Sequence, residues 1–197
     1  MAKLKTVSQF KSALIGGGAR PNLFQVELAS FPTAATGTSW DSDKFTYMCK
    51  SAALPASNIG SIDVPFRGRI FKVAGDRTFD TWTVTIINDE DFKLRNAFEA
   101  WMEGISKLDN NLGATQPASY MTDATVYQLG RGSTPSSTSN AGSDNSILKV
   151  YTFKDIFPTN ISQIDLSYDS SDTIEEFTVE FQVQSYELTS TSAAAKS

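Results

Sequence analysis

The sequence predicts a mainly β, α+β domain with one flanking amphipathic helix. Two observations carry this. Runs that alternate apolar and polar residues recur along the chain, which is the period of a half-buried strand. Only one segment shows the four-and-three spacing of an amphipathic helix. At 197 residues the chain matches the roughly 100–200 residues of one domain, and a domain of that size buries about 70% of its unfolded surface.

The elements follow in order. Asn22 to Ala29 reads as a strand with Phe24, Val26 and Leu28 on one side and Leu23, Gln25 and Glu27 on the other. Phe45 to Lys50 alternates more weakly, with Phe45, Tyr47 and Cys49 expected on one face. Thr81 to Ile87 places Trp82, Val84 and Ile86 together against Thr83 and Thr85. The helix is expected from about 89 to 108, carrying Leu94, Phe98, Trp101, Ile105 and Leu108 as its apolar stripe. Asn88 is its expected N-cap, and Asp89, Glu90 and Asp91 suit the positive end of the helix dipole. Thr122 to Leu129 and Ile147 to Lys154 are further β-rich runs. The clearest strand is Glu176 to Leu188, with Phe177, Val179, Phe181 and Val183 facing inward. Thr33 to Thr38 and Gly130 to Ser146 are rich in Ser, Thr, Gly and Asn and read as exposed loops, the second inserted between two β runs. The domain boundaries expected are an N-terminal arm at 1–18, the folded domain at 19–188 with its inserted loop at 130–146, and a tail at 189–197.

Composition narrows the chemistry. The chain has no histidine, which removes the commonest general base and metal ligand. Cys49, the single cysteine, excludes an internal disulfide and has no histidine to make it a nucleophile. Gly16-Gly17-Gly18 is followed by no Lys-Ser/Thr pair, so a hinge is expected there rather than a phosphate cradle. Asp89, Glu90 and Asp91 point in different directions at a helix start, so dipole complementarity accounts for them better than a Mg²⁺ site. No catalytic, cofactor or metal residues are therefore assigned. The net charge of −5 lacks the basic footprint of a general nucleic-acid binder. No apolar run approaches the 18 or so residues of a membrane span.

Charge is nevertheless uneven. Arg67, Arg69, Lys72 and Arg77 cluster mid-chain, and a solvated hairpin edge would explain them. From Asp155 to Ser197 there are eight acidic residues against one lysine. A basic patch and an acidic one on the same subunit suit self-assembly.

At Ala19-Arg20-Pro21-Asn22-Leu23-Phe24-Gln25-Val26-Glu27 the chain resembles the tail tube proteins of T-even-like contractile phages. The likeness continues through Cys49-Lys50-Ser51-Ala52-Ala53-Leu54-Pro55-Ala56. It is strongest at Val73-Ala74-Gly75-Asp76-Arg77-Thr78-Phe79-Asp80-Thr81-Trp82-Thr83-Val84-Thr85, followed by Asn88-Asp89-Glu90. Phe157-Pro158-Thr159-Asn160 and the last alternating strand complete it. These ungapped stretches span roughly residues 19 to 188 and depart mainly at longer loops, 33–43 and 134–146, and in the tail.

The resemblance implies a virion structural protein without catalysis, assembled in the host cytoplasm. It implies a β-barrel or sandwich with a flanking helix, six copies joined edge to edge in a ring, and rings stacked into a hollow tube. Implied partners are other copies of the chain, the tail sheath, baseplate tube proteins, the tail terminator, a tape measure protein in the lumen, and double-stranded DNA passing without specific binding. About four strands from each of six copies, spaced ~4.8 Å and tilted ~40°, give a backbone diameter of about 48 Å, and ~5 Å of side chain on each wall leaves a bore of about 38 Å, wider than the ~20 Å duplex. On this reading Glu180, Gln182 and Gln184 line the bore. Leu54, Ile59, Ile62, Val64, Phe66, Arg67 and Arg69 contact neighbouring subunits. The alternatives are a tube subunit of a contractile secretion or bacteriocin system, a monomeric ligand-binding β-barrel, and a carboxylate hydrolase.

Overall fold

A computed structural model describes residues 6–14, 18–28, 30–54, 56–130 and 147–189. Gly16 and Gly17 of the expected hinge lie outside the described residues, as do Ala29, Pro55, the inserted loop at 131–146 and the tail at 190–197. In chain order the elements are α1 (Val7–Ala13), β1 (Phe24–Glu27), α2 (Ser42–Met48), β2 (Cys49–Ala52), β3 (Ser57–Phe66), β4 (Arg69–Phe79) and β5 (Trp82–Ile87). They continue as α3 (Lys93–Ile105), α4 (Pro117–Tyr120), β6 (Thr122–Leu129), β7 (Ile147–Ile161), β8 (Glu176–Gln182) and β9 (Ser185–Thr189). Among the described residues, seven strands form one sheet in the order β1-β6-β7-β8-β5-β2, with β9 also on β7, while β3 and β4 pair with each other in a separate two-stranded sheet.

The chain divides into two compact units. The smaller comprises Met1–Gln25, Val126–Tyr151 and Leu188–Ser197. In it, Thr6 and Gln9 close a capping box at the start of α1, each side chain accepting from the other's backbone N–H. Leu129 N donates to Leu23 O at 2.9 Å, and the Gln128 amide donates to the carbonyls of Arg20 and Leu23.

The larger unit holds Val26–Thr125 and Thr152–Glu187, and with them most of the core. Strand alternation sends Trp82, Val84 and Ile86 of β5 inward, and Phe181, Val179 and Phe177 of β8 sit opposite them in antiparallel register. Helix α3 lays Leu94, Ala97, Phe98 and Trp101 on that face. The Phe98 ring centroid is 5.9 Å from that of Phe181 and 6.4 Å from that of Phe177. Phe31, Trp40 and Phe45 close the aromatic cluster around Phe98. Gly104 lets the helix come close: a Cβ there would collide with the Ala34 carbonyl.

Several expectations are corrected. Phe45 to Met48 is helix, and the strand expected over Phe45 to Lys50 begins only at Cys49. Asp41 accepts a hydrogen bond from Lys44 N at 3.0 Å and starts α2, so Phe45 is buried while Tyr47 is 81% exposed. Residues two apart on a helix face opposite ways, and Phe45 and Cys49, four apart, share the inner side. Helix α3 is shorter than the expected span from 89 to 108. It starts at Lys93 after Phe92, which adopts φ 51°, and Leu108 lies beyond its end at 90% exposure. Asn88 is not its cap; the Asn88 amide donates instead to Glu175 Oε2 at 3.0 Å. The run Glu176 to Leu188 is two strands, broken at Val183 and Gln184. Strand β7 extends past Lys154 to Ile161. Asp155, at φ 52°, takes an extra position in it, so the buried residues step from Phe153 to Ile156. Pro158 is accommodated next to a second irregularity, where a missing N–H costs little.

Candidate functional site

The segment from Ser57 to Phe79 stands apart from the core. Phe66 pairs with Arg69, so the chain reverses through Arg67 and Gly68, at φ 46° and 80°. Two successive positive φ values define the tight turn whose twist matches paired strands, and glycine fills the second place without strain. Near the root the register slips between Ile59 and Ser61, where Gly60 faces Gly75 and Asp76. A Cβ on Gly75 would lie 3.2 Å from the Gly60 carbonyl oxygen, so a side chain there would crowd the bulge.

Register sorts the side chains. Directly opposed residues share a face, and successive residues alternate. Ile62 opposes Val73, Val64 opposes Phe71, and Phe66 opposes Arg69. One face of the hairpin is therefore Ile62, Val64, Phe66, Phe71 and Val73, with Arg69 at the tip. The other carries Ser61, Asp63 and Pro65 against Ala74, Lys72 and Ile70, including an Asp63–Lys72 ion pair at 3.2 Å. Phe66 and Phe71 are each 66% exposed. The Arg67 guanidinium sits 5.3 Å from the Phe66 ring centroid.

This is an uncovered apolar surface. Burying one such side chain contributes about 1.5–3 kcal/mol, and a two-stranded hairpin alone is marginal in water. Contiguous exposed apolar residues rimmed by charge mark an interaction surface.

The residues expected at subunit contacts converge here: Ile62, Val64 and Phe66 share the apolar face, Arg67 forms the turn and Arg69 closes the tip. Ile59 lies below the bulge, and Leu54 is exposed in the connection before the hairpin. Phe71 and Val73 were missed. Their alternation was visible in the sequence, but only pairing register shows that they extend the same face.

The second surface is the other side of the main sheet. Thr83 opposes Glu180 and Thr85 opposes Thr178, all half-buried, on the face opposite Phe177, Val179 and Phe181. Gln182 follows on this face, and the Glu180 carbonyl accepts from Thr159 Oγ1 at 3.1 Å. The burial alternation runs on past the end of β8: Val183 is buried beside Phe181, and Gln184, in the bend between β8 and β9, is exposed.

Other chemical candidates resolve into structure. Burial pushes the Cys49 thiol up to about 12, so it stays protonated. Asp89 and Asp91 precede α3 rather than starting it, and they grip the Lys44 ammonium at 2.9 and 2.5 Å. A lysine thus already occupies the place a cation would take. The space between sheet and helix is filled by aromatic rings, and an open groove of about 590 Å³ beside α3 is lined by Arg95, Glu99, Glu103 and Asn160.

Three comparisons bear on what such a chain is. Residues 19–189 match the family model described as phage tail tube protein. Tail tube protein gp19 of Enterobacteria phage T4 is 36% identical over 172 residues, covering 87% of this chain and 93% of that protein. A tail tube protein of Serratia phage KSP90 is 25% identical, over 91% of this chain and 94% of that one. Among solved structures, a chain of the extended sheath–tube complex of PVC, an extracellular contractile injection system, shares the fold. Its TM-score is 0.59 at 12% identity, covering 95% of this chain and 99% of that one. A chain of the anti-feeding prophage tube-terminating cap gives 0.58 at 17% identity, covering 88% and 91%.

Proposed function

This chain belongs to the phage tail tube protein family, and from that premise we propose how it works as a structural subunit of the virion. Six copies close a ring, rings stack into a hollow tube, and the tube conducts DNA during ejection. The function is mechanical, with no catalytic step and no cofactor.

One observation beyond family membership supports this reading most: the hairpin β3–β4 projects an apolar face that its own subunit leaves bare. In a monomer that face is a liability; in a stack it is the joint between subunits. Leu54, Ile59, Ile62, Val64, Phe66, Arg67 and Arg69 are the contact residues of this joint.

The polar side of the β5–β8 pair faces the bore, with Glu180 and Gln182 on it. Six copies at −5 each bring −30 formal charges to a ring. Such a wall neutralises no phosphates and releases no counterions, so a polyanion slides past without a stable complex. The outer partners are the sheath, the baseplate tube proteins and the tail terminator. Similar folds occur in a sheath–tube complex, a sheath/tube terminator and a baseplate. A tape measure protein fills the lumen before DNA does, and assembly takes place in the host cytoplasm.

Electron microscopy of the purified chain tests the proposal. Rings or tubes of uniform width are expected. Compact monomers at every concentration would instead favour a ligand-binding β domain.

A further inference from the structure

Strand β5 has two ends with different neighbours. At its start Trp82 pairs with Phe181, and the hairpin β3–β4 enters the sheet there through Asp80 and Thr81. At its finish Ile87 pairs with Glu176, and Asn88 N donates to Glu175 O at 2.8 Å. The segment 162–175, which links β7 to β8, returns to the sheet at this second end. Six residues of strand separate the two ends by about 20 Å.

The segment 162–175 carries Asp165, Asp169, Asp172 and Glu175 and no lysine or arginine. Between these carboxylates Leu166, Tyr168 and Ile174 stand out into solvent, Tyr168 as exposed as in an extended chain. The hairpin has the complementary make-up: an apolar face ending in Arg67 and Arg69. Both surfaces stay exposed within the one subunit.

We infer that segment 162–175 is the receiving surface for the hairpin of a second copy, with Arg67 and Arg69 against its carboxylates and the Ile62–Phe71 face against Leu166, Tyr168 and Ile174. The inference rests on the tube reading for the identity of the partner, and goes beyond it by naming the acceptor. Two different patches, attached at opposite ends of β5, make a head-to-tail contact. Every copy then presents a free donor and a free acceptor, so the contact propagates. Opposite charge fixes the register and speeds encounter, and salt weakens it, since the Debye length is about 10 Å at 0.1 M.

The test compares tube length by electron microscopy for three chains: wild type, Asp165→Lys/Asp169→Lys/Asp172→Lys, and that triple variant combined with Arg67→Glu/Arg69→Glu. All five side chains are exposed, and melting temperature checks that each subunit is folded. The loop reversal is expected to shorten tubes at least roughly tenfold, and the combined reversal to restore length. Loop-reversed tubes of wild-type length, or no recovery in the combined chain, would overturn the inference. If the reversed chains do not fold, Arg69→Cys/Asp169→Cys decides it. Oxidation of assembled protein should give a ladder of cross-linked copies on a non-reducing gel, and monomer alone would overturn the inference. A wild-type chain that forms neither rings nor tubes overturns the tube reading itself. Wild-type tubes that ignore the reversals overturn only the acceptor.

Discussion

Lys44 joins two parts of the larger unit through charge. Its ammonium lies 2.9 Å from Asp89 and 2.5 Å from Asp91, while its backbone N–H caps onto Asp41, which also holds Lys93 at 3.1 Å. Hydrogen bonds from Lys44 hold the carboxyls of Asp89 and Asp91 below their usual value, and the Lys44 backbone bond does the same for Asp41. Asp91 and Asp89 in turn raise Lys44. The carboxylates, depressed from 3.8, contribute stability that is present above that pH and is lost as pH falls through their folded values. Lys44, raised from 10.5, contributes stability that is present below that pH and is lost as pH rises through its folded value. Lys44→Met should therefore be less stable than wild type at neutral pH and converge on it in acid. Urea midpoints measured across the acid range check this, and a gap that stays constant below pH 3.8 would deny the clasp. In the sequence, Asp89 and Asp91 looked like partners of a helix dipole. Their real partner is 47 positions from Asp91, a distance no local pattern spans.

Helix α3 shows how far periodicity carries an element. Leu94, Phe98 and Trp101 are buried where the spacing put them, and β5 and β8 follow their alternation residue by residue. Phe98→Ala should cost about 3–5 kcal/mol, whereas Leu108→Ala should be close to neutral because that side chain is solvent-exposed. Thermal or urea denaturation of the two variants separates these outcomes; equal effects would mean the helix register is misplaced. The elements that escaped the sequence are those where two periods compete. Phe45, Tyr47 and Cys49 alternate like a strand, and the helix was legible only in the Asp41 cap and the four-residue step from Phe45 to Cys49. The run expected to end at Lys154 continues to Ile161, passing Pro158 beside a bulge.

At the scale of the whole molecule, the fold class and the family were legible because both rest on patterns along the chain. The assembly surface was half legible. Turn glycines and basic residues marked a hairpin, but the apolar face emerges only when β3 and β4 are set in register. The alternation that puts Glu180, Gln182 and Gln184 on one face outlasts strand β8 itself, which ends at Gln182, because Val183 stays buried. If Glu180 faces the bore of a six-fold ring, as proposed, its charge reversal would repeat as a ladder of cations beside passing phosphates. Glu180→Lys should leave tubes intact yet slow DNA delivery, with partial recovery at higher salt. Normal delivery through well-formed tubes would remove Glu180 from the bore.

The proposed joint between rings is probed most directly at Val64 and Phe71, which oppose each other across the hairpin. Replacing both with serine removes apolar surface from an exposed face of the hairpin, so the folded subunit should melt close to wild type. The measurement is tube length by electron microscopy of Val64→Ser/Phe71→Ser beside wild type at equal concentration. Separate rings or short stacks from the variant, against long tubes from wild type, are the predicted result. Tubes of wild-type length from a folded variant would contradict it.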